Sequence, residues 1–261
     1  MDIMQKEILA DEDMNNRQLR QIIDNSKGQI GFYGWGINNE SAFGLRHGDG
    51  CPVAYRLDRL NLIKQRDWNG YYIYTPDHVF MIMKAKIGTI CANTIVAFEK
   101  GKDPSVEMYK IKDSQCPEMV DEMRDFLGPG IKVESPNLKM RIENSVVNNS
   151  FSDMKVESRT DKNLKIGLSW NQKVTKTFTW VTPLTDDKTT YFINVKKTQL
   201  PLKGFYKFNG KQYDCNDTTA DCLGMFDVGR GYHNYGGAFF WAFSMFKLDD
   251  GTLITCIFVW N

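Results

Sequence analysis

Histidine is scarce in this chain, and neither sign of charge is in excess. Only three histidines, His47, His78 and His233, occur among 261 residues, far apart and without ligand-like neighbours. A zinc centre needs at least three N, S or carboxylate ligands meeting in space, so no metal site is expected and the three rings read as structural or surface groups. Lys plus Arg number 33 against 32 Asp plus Glu, a net charge of +1. With no basic stripe, the counterion release that drives nucleic-acid affinity has little to act on, and no nucleic-acid partner is expected. The longest apolar run, Tyr235 to Phe246, falls well short of the ~20 residues of a spanning helix. The opening MDIMQKEILADEDM lacks the basic start and apolar stretch of an export signal. The expectation is a cytoplasmic chain without a transmembrane segment.

Catalytic signatures are missing as well. There is no nucleophile elbow, Walker loop or dinucleotide fingerprint, and Gly34-Trp35-Gly36 is only a fragment of a glycine pattern. No cofactor is expected. The six cysteines show no C-x-x-C spacing and read as free thiols, several of them buried. Cys215 and Cys222 could in principle bridge, with free thiols the simpler reading.

What is present is β structure. Trp68 to Met83 reads as a hairpin broken at Pro76-Asp77, and Ile90 to Glu99 as a further strand. Leu138-Met140-Ile142 and Leu164-Ile166-Leu168-Trp170 alternate with polar residues, which puts one face on a core and the other in water. Thr177 to Val181 and Thr190 to Val195 continue the series. Asn209-Gly210 between Phe205–Phe208 and Lys211–Tyr213 is a strong hairpin signal, because both turn residues need positive φ. The arms GAFFWAFSMFKL and TLITCIFVW around Asp249-Asp250-Gly251 are apolar on both faces, so cover on both sides is expected. Two short helices are expected, over 5–24 and over 114–127. The fold class is all-β: lipocalin-like barrels, or a sandwich of antiparallel hairpins, with two short helices.

One segment, Cys222 to Tyr235, carries unusual chemistry. Asp227 lies in an apolar run, where a carboxylate is costly to bury unless paired. Arg230, between Gly229 and Gly231, is placed to curl back and pair with it. Two readings stay open. In one, burial makes Asp227 a general acid beside Tyr232, His233, Tyr235 and Trp241, whose aromatic faces would also stabilise a cation. In the other, an Asp227–Arg230 salt bridge pins a tight turn between two barrels. Lys64, Arg66, Trp68, Tyr71 and Tyr72 form a second polar-aromatic cluster, either a solvated strand or the rim of a ligand pocket.

The segment Phe226-Asp227-Val228-Gly229-Arg230-Gly231, followed by Phe239-Phe240-Trp241-Ala242, resembles the signature of the domain of unknown function 2804 family. Lys64, Trp68, Tyr71 and Tyr72 resemble that family's Lys-x-x-x-Trp-x-x-Tyr-Tyr pattern, and Gly31 to Gly36 its glycine-tryptophan entry. The resemblance runs over residues 30 to 260. It departs at Val228, where the family carries Trp, and at Tyr232-His233, where it carries an aromatic-proline pair. The family is similar to carotenoid 1,2-hydratase-like and lipocalin-like double barrels. That implies an apolar cavity, a lipid- or isoprenoid-like ligand, and acid–base chemistry without metal or cofactor.

The implied organisation is a helical leader over 1–28, a first barrel over 29–222, and the opening of a second, incomplete barrel over 223–261, truncated relative to the family. Implied ligand contacts are Arg230, Tyr235, Trp241, Lys64, Trp68 and Tyr72, and the hypothetical catalytic set is Asp227, Tyr232 and His233. Three functions follow from this: a binder of an apolar small molecule, a cofactor-free hydratase, isomerase or cyclase, or a structural remnant. Self-association through the C-terminal hairpin is a further expectation.

Overall fold

A computed structural model describes residues 23–24, 29–30, 34–38, 65–87, 90–103, 109–113, 130–144, 151–159, 164–171, 177–186, 190–216, 221–233 and 240–260. Their regular structure is entirely β. The first strands are β1 (Ile23–Asp24), β2 (Gln29–Ile30), β3 (Gly34–Asn38), β4 (Gln65–Tyr74), β5 (His78–Ile87), β6 (Ile90–Glu99), β7 (Tyr109–Asp113), β8 (Gly130–Glu134) and β9 (Leu138–Asn144). They are followed by β10 (Phe151–Ser158), β11 (Leu164–Asn171), β12 (Thr177–Pro183), β13 (Tyr191–Phe208), β14 (Lys211–Cys215), β15 (Leu223–Tyr232), β16 (Phe240–Lys247) and β17 (Leu253–Trp260). The helix expected over 114–127 lies outside the described residues. So does most of the one expected over 5–24, whose last residues, Ile23 and Asp24, pair instead as a strand with Ile30 and Gln29.

Thirteen strands form one antiparallel sheet in the order β7-β6-β5-β4-β15-β13-β11-β10-β9-β8, with β12 and β14 added beside β13 and β3 beside β12. The organiser is β13, which is 18 residues long. Its first half runs between β12 and β15, and its second half between β11 and β14. Between Lys197 and Leu200 the register shifts, and Gln199 takes φ 57. Such a bulge bends a strand and sharpens its twist. The sheet therefore curls into a half-barrel, and its two lobes share one core. Tyr71, Phe80, Ile82 and Ile95 from one lobe meet Leu138, Met140, Ile142, Met154 and Leu164 from the other.

Turn chemistry sets the register. Asn209 (φ 49) and Gly210 (φ 79) both take positive φ, as the two-residue hairpin between β13 and β14 requires. Thr75 closes the β4–β5 turn, its amide bonding the His78 carbonyl at 3.0 Å and its Oγ1 accepting from the His78 amide at 2.9 Å.

Two expectations change. Residues 223–232, assigned to the opening of a second barrel, form β15 in the interior of the large sheet, between β13 and β4. A boundary at 222 thus coincides with no break in the sheet. β16 and β17 alone make a separate two-stranded sheet. One face of that hairpin, with Met245, Trp241, Phe243, Leu253 and Ile257, packs on Tyr72, Leu223 and Met225. The other face leaves Phe246 44% and Phe258 57% exposed, so cover is one-sided rather than two-sided.

Candidate functional site

Antiparallel register brings together residues that are distant in sequence. Lys196, Asp227 and Gly70 fall in one row across β13, β15 and β4, and Asn194, Gly229 and Trp68 in the next. Cross-strand partners share a face, so these two rows lie on the side of the sheet that the β16–β17 hairpin covers. Asp227 is 3% exposed, and Lys196 and Asn194 are 1% exposed each.

The Asp227 carboxylate accepts from three donors. Lys196 Nζ pairs with its Oδ2. Asn194 Nδ2 donates to Oδ1 at 2.7 Å, and Trp68 Nε1 donates to the same oxygen at 3.3 Å. Burying either charge alone would cost several kcal/mol, which pairing and hydrogen bonding offset. Glycine makes the approach of Trp68 possible. A Cβ on Gly229 would run into the indole, and one on Gly70 would lie 2.9 Å from the Tyr72 ring. The glycine-rich run is therefore a strand with space cleared for aromatic rings, not the tight turn expected from sequence.

Aromatic groups close the site. Trp68 stacks on Phe192 with centroids 5.1 Å apart, and the His233 ring meets Trp68 edge-on at 6.3 Å. From the hairpin, Trp241 lies over Lys196 Nζ at 5.3 Å and packs on Tyr72 at 5.0 Å. Burial draws the Lys196 ammonium below its ordinary range, and the Asp227 charge opposes that shift. Burial, then the Asp227 charge, pushes the Tyr72 phenol well up. Burial, helped by Arg66, lowers His233 to about 4, so its ring is neutral near pH 7. Asn194 Oδ1 and Trp241 Nε1 are buried here without a hydrogen-bond partner.

Of the residues singled out from sequence, Asp227, Trp68, Tyr72, Trp241 and His233 meet in this cluster. Arg230 sits in β15 opposite Ile193 and Asp67, and Tyr232 opposite Tyr191 and Gln65. Positions 227 and 230 are an odd number apart in a continuous strand and belong to opposite faces. Among the described residues, the cation bonded to Asp227 is Lys196 from the neighbouring strand. Lys64 and Tyr235 lie outside the described residues. Sequence reasoning missed Lys196 and Asn194, whose only signal was sharing the parity of Phe192. It also missed a second buried polar row on the core side, Asn69, Lys84 and Asn93 across β4, β5 and β6.

Among the described residues no three His, Cys, Asp or Glu side chains gather as a metal set, and no helix is long and apolar enough to cross a membrane. Cys215, Cys222 and Cys256 are free, whereas Cys91 is in a disulfide, against the expectation of free thiols throughout. The core holds an apolar void of about 10 Å³ beside Tyr71, Met154, Trp170 and Phe226. That is about the space of one water, far below the roughly 300 Å³ at which ligand pockets begin.

The class is thus defined: an antiparallel half-barrel whose one buried, fully paired carboxylate among the described residues lies under an aromatic hairpin. The chain belongs to the family described as Domain of unknown function (DUF2804), whose profile matches residues 51–258. Among solved structures it is similar to kievitone hydratase from Nectria haematococca, at 12% identity and a TM-score of 0.42, covering 76% of this chain and 62% of that one. It therefore spans less than two thirds of that protein's length. No curated protein matches it.

Proposed function

We propose that this protein binds a small, mostly apolar molecule of lipid- or isoprenoid-like body, with one hydrogen-bonding head, between the sheet and the β16–β17 hairpin. The observation that carries the reading is the pair of buried, unsatisfied atoms beside the ion pair, the acceptor Asn194 Oδ1 and the donor Trp241 Nε1. Buried polar groups are normally satisfied, and leaving one bare costs about 1–3 kcal/mol. A hydroxyl or similar head between them serves both. The hairpin suits entry because it is not part of the large sheet's ladder. A two-stranded hairpin is marginal by itself, so lifting it costs side-chain packing and not a row of backbone hydrogen bonds.

Native mass spectrometry of protein purified from cells tests this. A bound mass of a few hundred daltons that organic extraction removes, and that Trp241→Ala reduces, is the expected result. A bare chain under gentle conditions in every preparation refutes it and leaves the structural-remnant reading.

A catalytic version, a cofactor-free hydratase, isomerase or cyclase using Asp227 with Tyr232 or His233, draws support from the neutral His233 ring beside Trp68. The three donors on Asp227 leave its carboxylate fully paired, which counts against the general-acid role expected from sequence. Activity on an extracted ligand that Asp227→Asn abolishes while the variant stays folded is its test. The exposed Phe246 and Phe258 support self-association through the hairpin, read by a monomer–dimer shift in light scattering.

A further inference from the structure

Cys215 ends β14, and Cys222 immediately precedes β15. These two strands lie end to end along the same edge of β13. Cys215 is opposite Gly204, and the Leu202 amide donates to the Cys222 carbonyl at 3.0 Å. The cysteines thus face positions two residues apart on one strand, which puts their Cα atoms about 6–7 Å from each other. A disulfide usually spans about 4.4–6.8 Å between Cα atoms. Both thiols are free and buried in the same apolar cluster, on the same face of the sheet. Gly204, at φ 130, leaves no room for a Cβ against the Gly167 carbonyl, so the backbone opposite Cys215 is closely fixed.

The pair is chemically unequal. The Cys215 thiol beside it draws the Cys222 thiol below its ordinary range, with Lys100 adding to the effect, while the Cys222 thiol pushes Cys215 up. A thiolate is the nucleophile in disulfide exchange. Asn216 and Asp221, each next to one of the cysteines, are exposed, so solvent reaches the chain beside each buried thiol. Neither thiol takes part in the Asp227 site.

We propose that Cys215 and Cys222 form a reversible oxidation site, closing to an intrachain disulfide by exchange with a small-molecule disulfide such as oxidised glutathione. The Cys222 thiolate attacks one sulfur of R–S–S–R, giving Cys222–S–S–R and releasing RS⁻. Cys215 then loses its proton and attacks the Cys222 sulfur, displacing the second RS⁻. Two protein thiols are oxidised, one small disulfide is reduced to two thiols, and the two protons leaving the protein balance the two thiolates formed. The new bond staples the end of β14 to the start of β15, five residues before Asp227.

The test equilibrates the full chain in glutathione buffers of rising oxidised share, followed by acid quench, alkylation, digestion and peptide mass mapping. The expected result is a linked peptide containing Cys215 and Cys222, two hydrogens lighter than the thiol form, at a poise where Cys256 is still alkylated. Cys222→Ser leaves Cys215 open to alkylation across the same series. Persistent alkylation of both cysteines at a poise where Cys256 carries glutathione, or separate glutathione adducts on each, overturns the proposal. If the serine variant does not fold, the presence or absence of the linked peptide in the unaltered chain decides alone.

Discussion

Replacing Lys196 with Met keeps the side chain's length but removes its charge, and the consequence can be worked from the site. Asp227 remains 3% exposed with two neutral donors, Asn194 and Trp68. It loses the only cation bonded to it among the described residues. Removing one partner of a buried ion pair costs about 3–5 kcal/mol, because the other charge is left uncompensated. In a domain of this size each kcal/mol moves the melting point by about 2–4 °C, so Lys196→Met should melt roughly 6–20 °C lower. The double variant Lys196→Met/Asp227→Leu removes both charges and should recover most of that loss, since an apolar pair of similar volume is often neutral or better than buried ions. Thermal melts followed by far-UV circular dichroism read both numbers, and the two single variants complete the double-mutant cycle. A Lys196→Met melting point within about 2 °C of the parent, or a double variant no better than the single, would refute the assignment of Lys196 and Asp227 as a coupled buried pair.

Gly229→Ala places a methyl against the Trp68 ring; overpacking of this kind costs about 1–3 kcal/mol, and near-UV circular dichroism should show Trp68 displaced. His233 gives a pH signature. Its ring titrates near 4 when folded against 6.5 when free, so the unfolded chain binds the extra proton between those values. Stability from this group is full above about pH 6.5 and falls as pH drops through 4, by about 3 kcal/mol in all at 1.36 kcal/mol per unit; urea titrations of the parent and His233→Leu should diverge in that window and agree at pH 8. Gly210→Val, at φ 79, should cost about 1 kcal/mol or more by forcing a β-branched residue into the left-handed region.

The fold was largely legible because alternation and turn chemistry are local signals. The strand over Ile90–Glu99 was read to the residue. The Asn209-Gly210 hairpin and the two C-terminal arms also lie where their sequences put them. The signature around Asp227 is legible in the sequence, but the residues that surround it are not. Glycine density suggests a turn when neighbours are unknown, whereas Gly229 exists for an indole contributed by Trp68, far away in sequence. Lys196 was invisible for the same reason: its partner lies 31 residues on, and only the register of β13 against β15 reveals it. A local rule favours Arg230, three residues away, yet strand geometry turns that position to the other face. Long-range pairing is what the pattern of a single chain does not encode.

The most direct test of the binding reading is hydrogen exchange of the extracted protein, with and without a panel of single-headed amphiphiles such as long-chain alcohols. Slowed exchange over 241–245 and 253–257 in the parent, absent in Asn194→Leu, is what a guest held between Asn194 and Trp241 predicts. Unchanged exchange across those segments with every amphiphile, while the protein stays folded, would contradict it.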